Sequence, residues 1–139
     1  MEVNLRLDSG MHLVATNRKG HETHFDTVPT FGGSDAAPTP MEIMLEALCA
    51  CSSLDILSIL RKKRIDIVDF QIRATGERAE THPKVITKAH LAIELVSPNA
   101  TQKDLDRAIE LSHTTYCGVS AMFRQSGAEV TVESIVKQP

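Results

Sequence analysis

Residues 39–60 read TPMEIMLEALCACSSLDILSIL, and the conformation of this stretch decides how the rest of the chain must fold. Thr39 suits a helix N-cap and Pro40 the first helical position. Glu42 stands third, where its carboxylate reaches back to the Thr39 N–H. The spacing predicts one helix from this capping box to about Lys63, where Arg61, Lys62, Lys63 and Arg64 complement the negative end of the helix dipole. The helix is apolar on nearly every side, and it carries two of the three cysteines. Uniform apolarity asks for burial all round. Glu46 and Asp55 interrupt it and argue against lipid.

The flanks read as sheet and helix. Val3, Leu5 and Leu7 alternate with polar residues, the period of a half-buried strand. Asp8-Ser9-Gly10 is a turn, and Met11, Leu13 and Ala15 continue the alternation. Arg18-Lys19-Gly20 turns again into a weaker strand over 22–27, which completes an antiparallel meander. Residues 28–39 are a loop rich in proline, glycine and small polar residues. After the central helix, Val68, Phe70, Ile72 and Ala74 mark one strand, and Ala89, Leu91, Ile93 and Leu95 mark the next beyond the THPK turn. Thr101 and Asp104 cap a second helix with Leu105, Ala108, Ile109 and Ser112 on one face. Gly118 interrupts the helical run, 119–125 form a short third helix, and Val130, Val132 and Val136 a last strand. The order is β-β-β-α-β-β-α-α-β, an α+β plan in one domain, 1–139.

Composition narrows the function. A net charge of −3, one Tyr, four Phe and no Trp give no basic, aromatic surface for nucleic acid. The charged, alternating start is neither a secretory signal nor a membrane span, so the expected compartment is the cytoplasm. Structural disulfides are unfavoured there, which leaves the cysteines as free thiols, a metal set or a redox pair. Six scattered histidines with no HxxxH and no CxxC give no metal pattern, no GxG run marks a nucleotide site, and no cofactor is implied.

Successive helical residues turn by about 100°, so Cys49 and Cys51 point to opposite sides and cannot bridge one another. A reactive thiol in this helix needs a partner from elsewhere, and Cys117 is the only other cysteine. Cys117 precedes a helix start, where free backbone N–H groups stabilise an anion. His113, one turn earlier, adds positive charge if the preceding helix persists that far. Ala50, Ser52 and Gly118 leave room for approach. The plainer alternative is that each cysteine is a small buried apolar residue. Asp55 stays open, as a core-facing hydrogen-bond partner or a surface residue.

Taken together, GGSDAAPTPMEIMLEALCACSSLDILSILRKK (32–63) and LSHTTYCGVSAMF (111–123) resemble the OsmC/Ohr family. The likeness extends to GHETHFD (20–26) and RATGERAETHPKV (73–85). It implies an intertwined homodimer in which antiparallel sheets wrap two long buried central helices. It also implies that Cys51 is the peroxidatic thiol and Cys117 the resolving one, reducing an organic or lipid hydroperoxide with electrons from an external thiol or dithiol. The peroxidase branch places a glutamate directly after the helix-start proline and pairs it with an arginine in the first strand turn. This chain has Met41 at that place, Glu42 one residue later, and no arginine at Asp8-Ser9-Gly10; Arg18 is a loose substitute. A buried thiolate without a cation has a raised pKa and reacts slowly. The rivals are a thiol redox sensor or small-molecule binder without turnover, and an interaction module whose cysteines are core residues.

Overall fold

β1 (Val3–Ser9), β2 (His12–Asn17) and β3 (Glu22–Phe25) form a three-stranded antiparallel sheet, with Leu5 opposite Ala15 and Leu13 opposite Phe25. The meander is as expected, but its burial is not. Every residue of β1 is exposed, including Val3, Leu5 and Leu7, and Val14 lies buried on the face opposite Leu13. β3 stops at Phe25, short of residue 27, because Asp26 gathers the loop beyond it. Its carboxylate accepts from the N–H groups of Thr27, Ser34 and Ala36 and from the Ser34 hydroxyl. Gly33 closes that loop so tightly that a Cβ there would meet the Thr27 carbonyl oxygen at 1.8 Å.

α1 spans Pro40–Lys62. Its capping box is present: Thr39 N–H and Oγ1 both donate to Glu42 Oε2 at 2.7 Å, and Glu42 N–H donates to Thr39 Oγ1. Arg64 ends the helix in the left-handed conformation. The computed structural model describes Met1–Pro139 as two compact units, Met1–Met44 and Leu45–Pro139.

In the second unit, β4 (Asp69–Arg78), β5 (Ile86–Val96) and β6 (Glu129–Lys137) make a sheet with β5 in the centre. β4 pairs antiparallel to β5, while β6 runs parallel to it. This sheet is therefore mixed, against the expectation of antiparallel sheets throughout. The parallel strand needs a crossover, and α2 (Gln102–Leu111) and α3 (Gly118–Gln125) supply it. Thr101 and Asp104 cap α2 reciprocally, as their spacing predicts. Ala89, Leu91, Ile93 and Leu95 are all buried, and Ile93 and Leu95 pack with Ile56 and Leu60 of α1 and Leu105, Ala108 and Ile109 of α2.

α1 is the one helix long and apolar enough by composition to cross a membrane. Within the chain it is covered along one stripe only, Leu48, Ser52, Ile56 and Leu60, spaced one turn apart. A three-stranded sheet and one crossover helix reach a single side, so Leu54 remains 71% exposed. Burial all round is not achieved by one chain.

Candidate functional site

The site forms where α1 meets the segment between α2 and α3. The last turn of α2 widens into a π-helical turn, Ser112–Tyr116, closed by a 2.7 Å hydrogen bond from Cys117 N–H to the Ser112 carbonyl. Such turns insert a residue into the helical ladder and re-aim the side chains beyond it. Cys117 itself is extended and caps α3, its Sγ accepting from Ser120 N–H at 3.3 Å. The chain thus breaks at Cys117, one residue before Gly118. Gly118 is not needed for room, since a Cβ there would meet nothing within 4 Å.

Cys51, Asp55 and Cys117 converge, each offering a sulfur or carboxylate oxygen within 4.8 Å of the other two. All three cysteines are free. Cys117 is buried, Cys51 is half-buried, and Cys49 leaves the opposite side of α1. The Cys51 thiol is pushed up from its ordinary value, chiefly by burial and further by Cys117 and Asp55; the Val119 N–H at the start of α3 opposes the shift. Ser112 Oγ donates to Asp55 Oδ2 at 3.2 Å, which answers where Asp55 stands: a hydrogen-bonded neighbour of both sulfurs.

Behind Cys117 lies a chain of polar side chains. Ser52 Oγ is 3.5 Å from Cys117 Sγ and 3.3 Å from His113 Nε2. His113 Nδ1 is 3.3 Å from Ser120 Oγ, and Arg124 donates both to Ser120 Oγ and to the His113 carbonyl. Ser52, Ser112 and Ser120 are completely buried. Burial, aided by Arg124, lowers the His113 pKa below 6.5, so the ring is neutral at neutral pH and does not supply the positive charge expected of it. Its place is in the hydrogen-bond chain instead.

The supporting residues suggested by sequence divide accordingly. His113 is in the cluster. Glu42 is fully engaged in the α1 cap, and the Thr39 N–H and hydroxyl hold its carboxyl below the usual range. Arg18 is exposed on the β2–β3 turn and joins no ion pair. Sequence assigned no part to Ser120 or Arg124, and it offered Ser52 only as a small residue beside Cys51 and Ser112 only as part of the buried face of α2. Their signal was faint: Ser120 and Arg124 stand one turn apart in α3, but nothing in that spacing says the face meets a thiol. One turn along α1 from Cys51, a cleft of about 440 Å³ opens between Asp55, Ile59, Lys62, Arg107 and Tyr116.

The fold is α+β with two three-stranded sheets, and it brings a free thiol of α1 close to a free thiol that caps α3. The chain belongs to the OsmC-like protein family, whose profile matches residues 32–133. It is 31% identical to protein YhfA of Escherichia coli K12 over 126 residues, 91% of each chain. Among solved structures it is similar to a hypothetical protein of Aquifex aeolicus VF5 (30% identity, 99% and 96% of the two chains, TM-score 0.86). An organic hydroperoxide resistance protein, OsmC, of Legionella pneumophila shares the fold (16% identity, 96% of each chain, TM-score 0.68).

Proposed function

We propose that this protein is a homodimeric, thiol-dependent reductase of organic hydroperoxides, with Cys51 attacking and Cys117 resolving. The observation that carries this reading is the approach of the two sulfurs, within 4.8 Å, one from α1 and one from the cap of α3. The half-buried Cys51 meets substrate first and the buried Cys117 acts second. The Cys51 thiolate attacks the distal peroxide oxygen; the O–O bond breaks, an alkoxide leaves and takes a proton, and Cys51 becomes a sulfenic acid. The Cys117 thiolate then attacks that sulfur, the S–O bond breaks, and hydroxide leaves as water. An external dithiol returns two electrons and two protons. His113 serves Cys117: its Nε2 accepts the thiol proton through the Ser52 hydroxyl while Nδ1–H donates to Ser120.

The exposed Leu54 on α1 and the exposed Val3, Leu5 and Leu7 of β1 are apolar surfaces that a second copy would cover. Sedimentation at micromolar concentration is expected to show a dimer; a stable monomer overturns that part. Steady-state consumption of an organic hydroperoxide with a dithiol reductant tests the activity. One equivalent of oxidant should yield a disulfide between the peptides holding Cys51 and Cys117. The raised Cys51 thiol favours a second reading, a slow redox sensor. That reading gains if the disulfide forms while no turnover is seen.

A further inference from the structure

Peroxide reduction uses the two sulfurs and gives the Asp55 carboxylate no part, although its oxygen stands within 4.8 Å of both. Asp55 lies one turn beyond Cys51 on the same face of α1, so the helix itself sets these two ligands side by side. Two thiols and one carboxylate are a donor set for a borderline-soft cation. Zinc takes thiolate sulfur at about 2.3 Å and carboxylate oxygen at about 2.0–2.2 Å, which puts neighbouring tetrahedral ligand atoms roughly 3.5–3.8 Å apart. The three atoms here need shifts of only about 1 Å to reach that spacing.

We propose that the reduced protein binds one zinc-class divalent cation through Cys51 Sγ, Cys117 Sγ and an Asp55 carboxylate oxygen. No local motif announces the site, because its third ligand stands far along the chain, at the cap of α3. The outer contacts that hold metal ligands in place are present. Ser112 Oγ donates to Asp55 Oδ2, and Ser120 N–H and Ser52 Oγ flank Cys117 Sγ. Two sulfurs select against magnesium and calcium, which prefer all-oxygen shells. Binding releases the thiol protons and transfers no electrons. Three protein ligands leave a fourth position for water. Because the ion and the disulfide need the same two sulfurs, a bound cation holds the pair reduced and closed to peroxide. The inference does not rest on turnover: the ion would bind a sensor or a silent protein equally well.

The test is titration of the fully reduced protein with Cd²⁺, read by sulfur-to-cadmium charge-transfer absorption, and with Zn²⁺ by competition. One ion per chain is expected, with both Cys51 and Cys117 protected from alkylation. Asp55→Asn should weaken binding at least about tenfold while keeping the charge-transfer band. Cys51→Ser should weaken the band and the affinity together, and protein alkylated at its thiols should bind none, a control that does not depend on a variant folding. Equal affinity in Asp55→Asn removes the carboxylate from the site and overturns the proposal. So does Cd²⁺ binding without sulfur absorption, or alkylation of both thiols at an undiminished rate in saturating Zn²⁺. A negative peroxidase assay leaves these outcomes unmoved.

Discussion

The Asp26 carboxylate and the Cys117 thiol are each only 3% exposed, and each is surrounded by hydrogen-bond partners. Around Asp26 every partner points inward: three backbone N–H groups and one hydroxyl converge on an anion. The result is a carboxyl held well below its usual range, with the Ser34 hydroxyl contributing most, and a loop with one conformation. Cys117 Sγ meets the Ser120 N–H and the Ser52 hydroxyl, and from Ser52 a chain runs through the His113 ring to the Ser120 hydroxyl, each member able to donate and accept. That chain can reverse direction and pass a proton. The difference separates a polar cluster that fixes structure from one equipped for chemistry.

The sharpest way to break this contrast is to remove the sulfur proposed to attack. Cys51→Ser should abolish peroxide consumption, measured with a dithiol reductant. Cys117→Ser should let Cys51 reach the sulfenic acid and stay there, open to overoxidation and detectable by dimedone labelling. Turnover in a folded Cys51→Ser protein would return both sulfurs to the status of core residues.

The structural cluster should fail differently. In Gly33→Ala the new Cβ meets backbone, not a movable side chain. A loss above about 4 kcal/mol in denaturant unfolding is expected, in the range reserved for gross steric conflict. A mild effect would show that the Asp26 loop has an alternative path.

The legibility of the sequence divides along the same line. Both capping boxes, the meander and the buried alternation of β5 were legible because each depends on neighbours a few residues away. The exposure of β1 and the one-sided cover of α1 were not, since periodicity gives a strand's two faces without saying what covers either. The π-helical turn has no spacing signature. The meeting of Cys51 with Cys117 was available only through the family resemblance, because residues far apart in the chain meet only in the fold.

His113 tests whether the Cys117 cluster moves protons or only fills space. His113→Gln keeps hydrogen bonding but cannot accept a proton, and disulfide formation should slow by about a hundredfold. The lowered pKa also carries a sign. The unfolded chain binds the His113 proton near pH 6.5 and the folded chain only at lower pH. Its contribution to stability is therefore complete above about 6.5 and is lost as pH falls toward the folded value. Thermal melts between pH 7 and 5 should show that loss in the native protein and less of it in His113→Gln. Identical pH profiles would assign the acid sensitivity elsewhere.

Cys51 gives a gentler gradient. Its thiol is raised above 9.0 by burial first, so thiolate is scarce at neutral pH. Alkylation of Cys51 should climb about tenfold per pH unit from 7 toward 9, tracking the thiolate fraction, without levelling below 9. A plateau near pH 7 would mean that a cation, from a second subunit or elsewhere, stabilises the anion after all.

The smallest effect belongs to Cys49, and it is the control that gives the others meaning. Two residues along the helix turn it to the opposite side of α1 from Cys51, and it takes no part in the hydrogen-bond chain behind Cys117. Its own thiol is raised by burial and by Glu46, so it is a poor nucleophile as well as a misplaced one. Cys49→Ala should leave peroxide consumption and the Cys51–Cys117 disulfide unchanged. Removing a half-buried sulfur should lower unfolding stability by only about 1 kcal/mol, the low end for core truncation. If instead activity fell while the protein stayed folded, the attacking thiol would lie on the other side of α1. The cluster around Cys117 would then be, like that around Asp26, a device for holding structure.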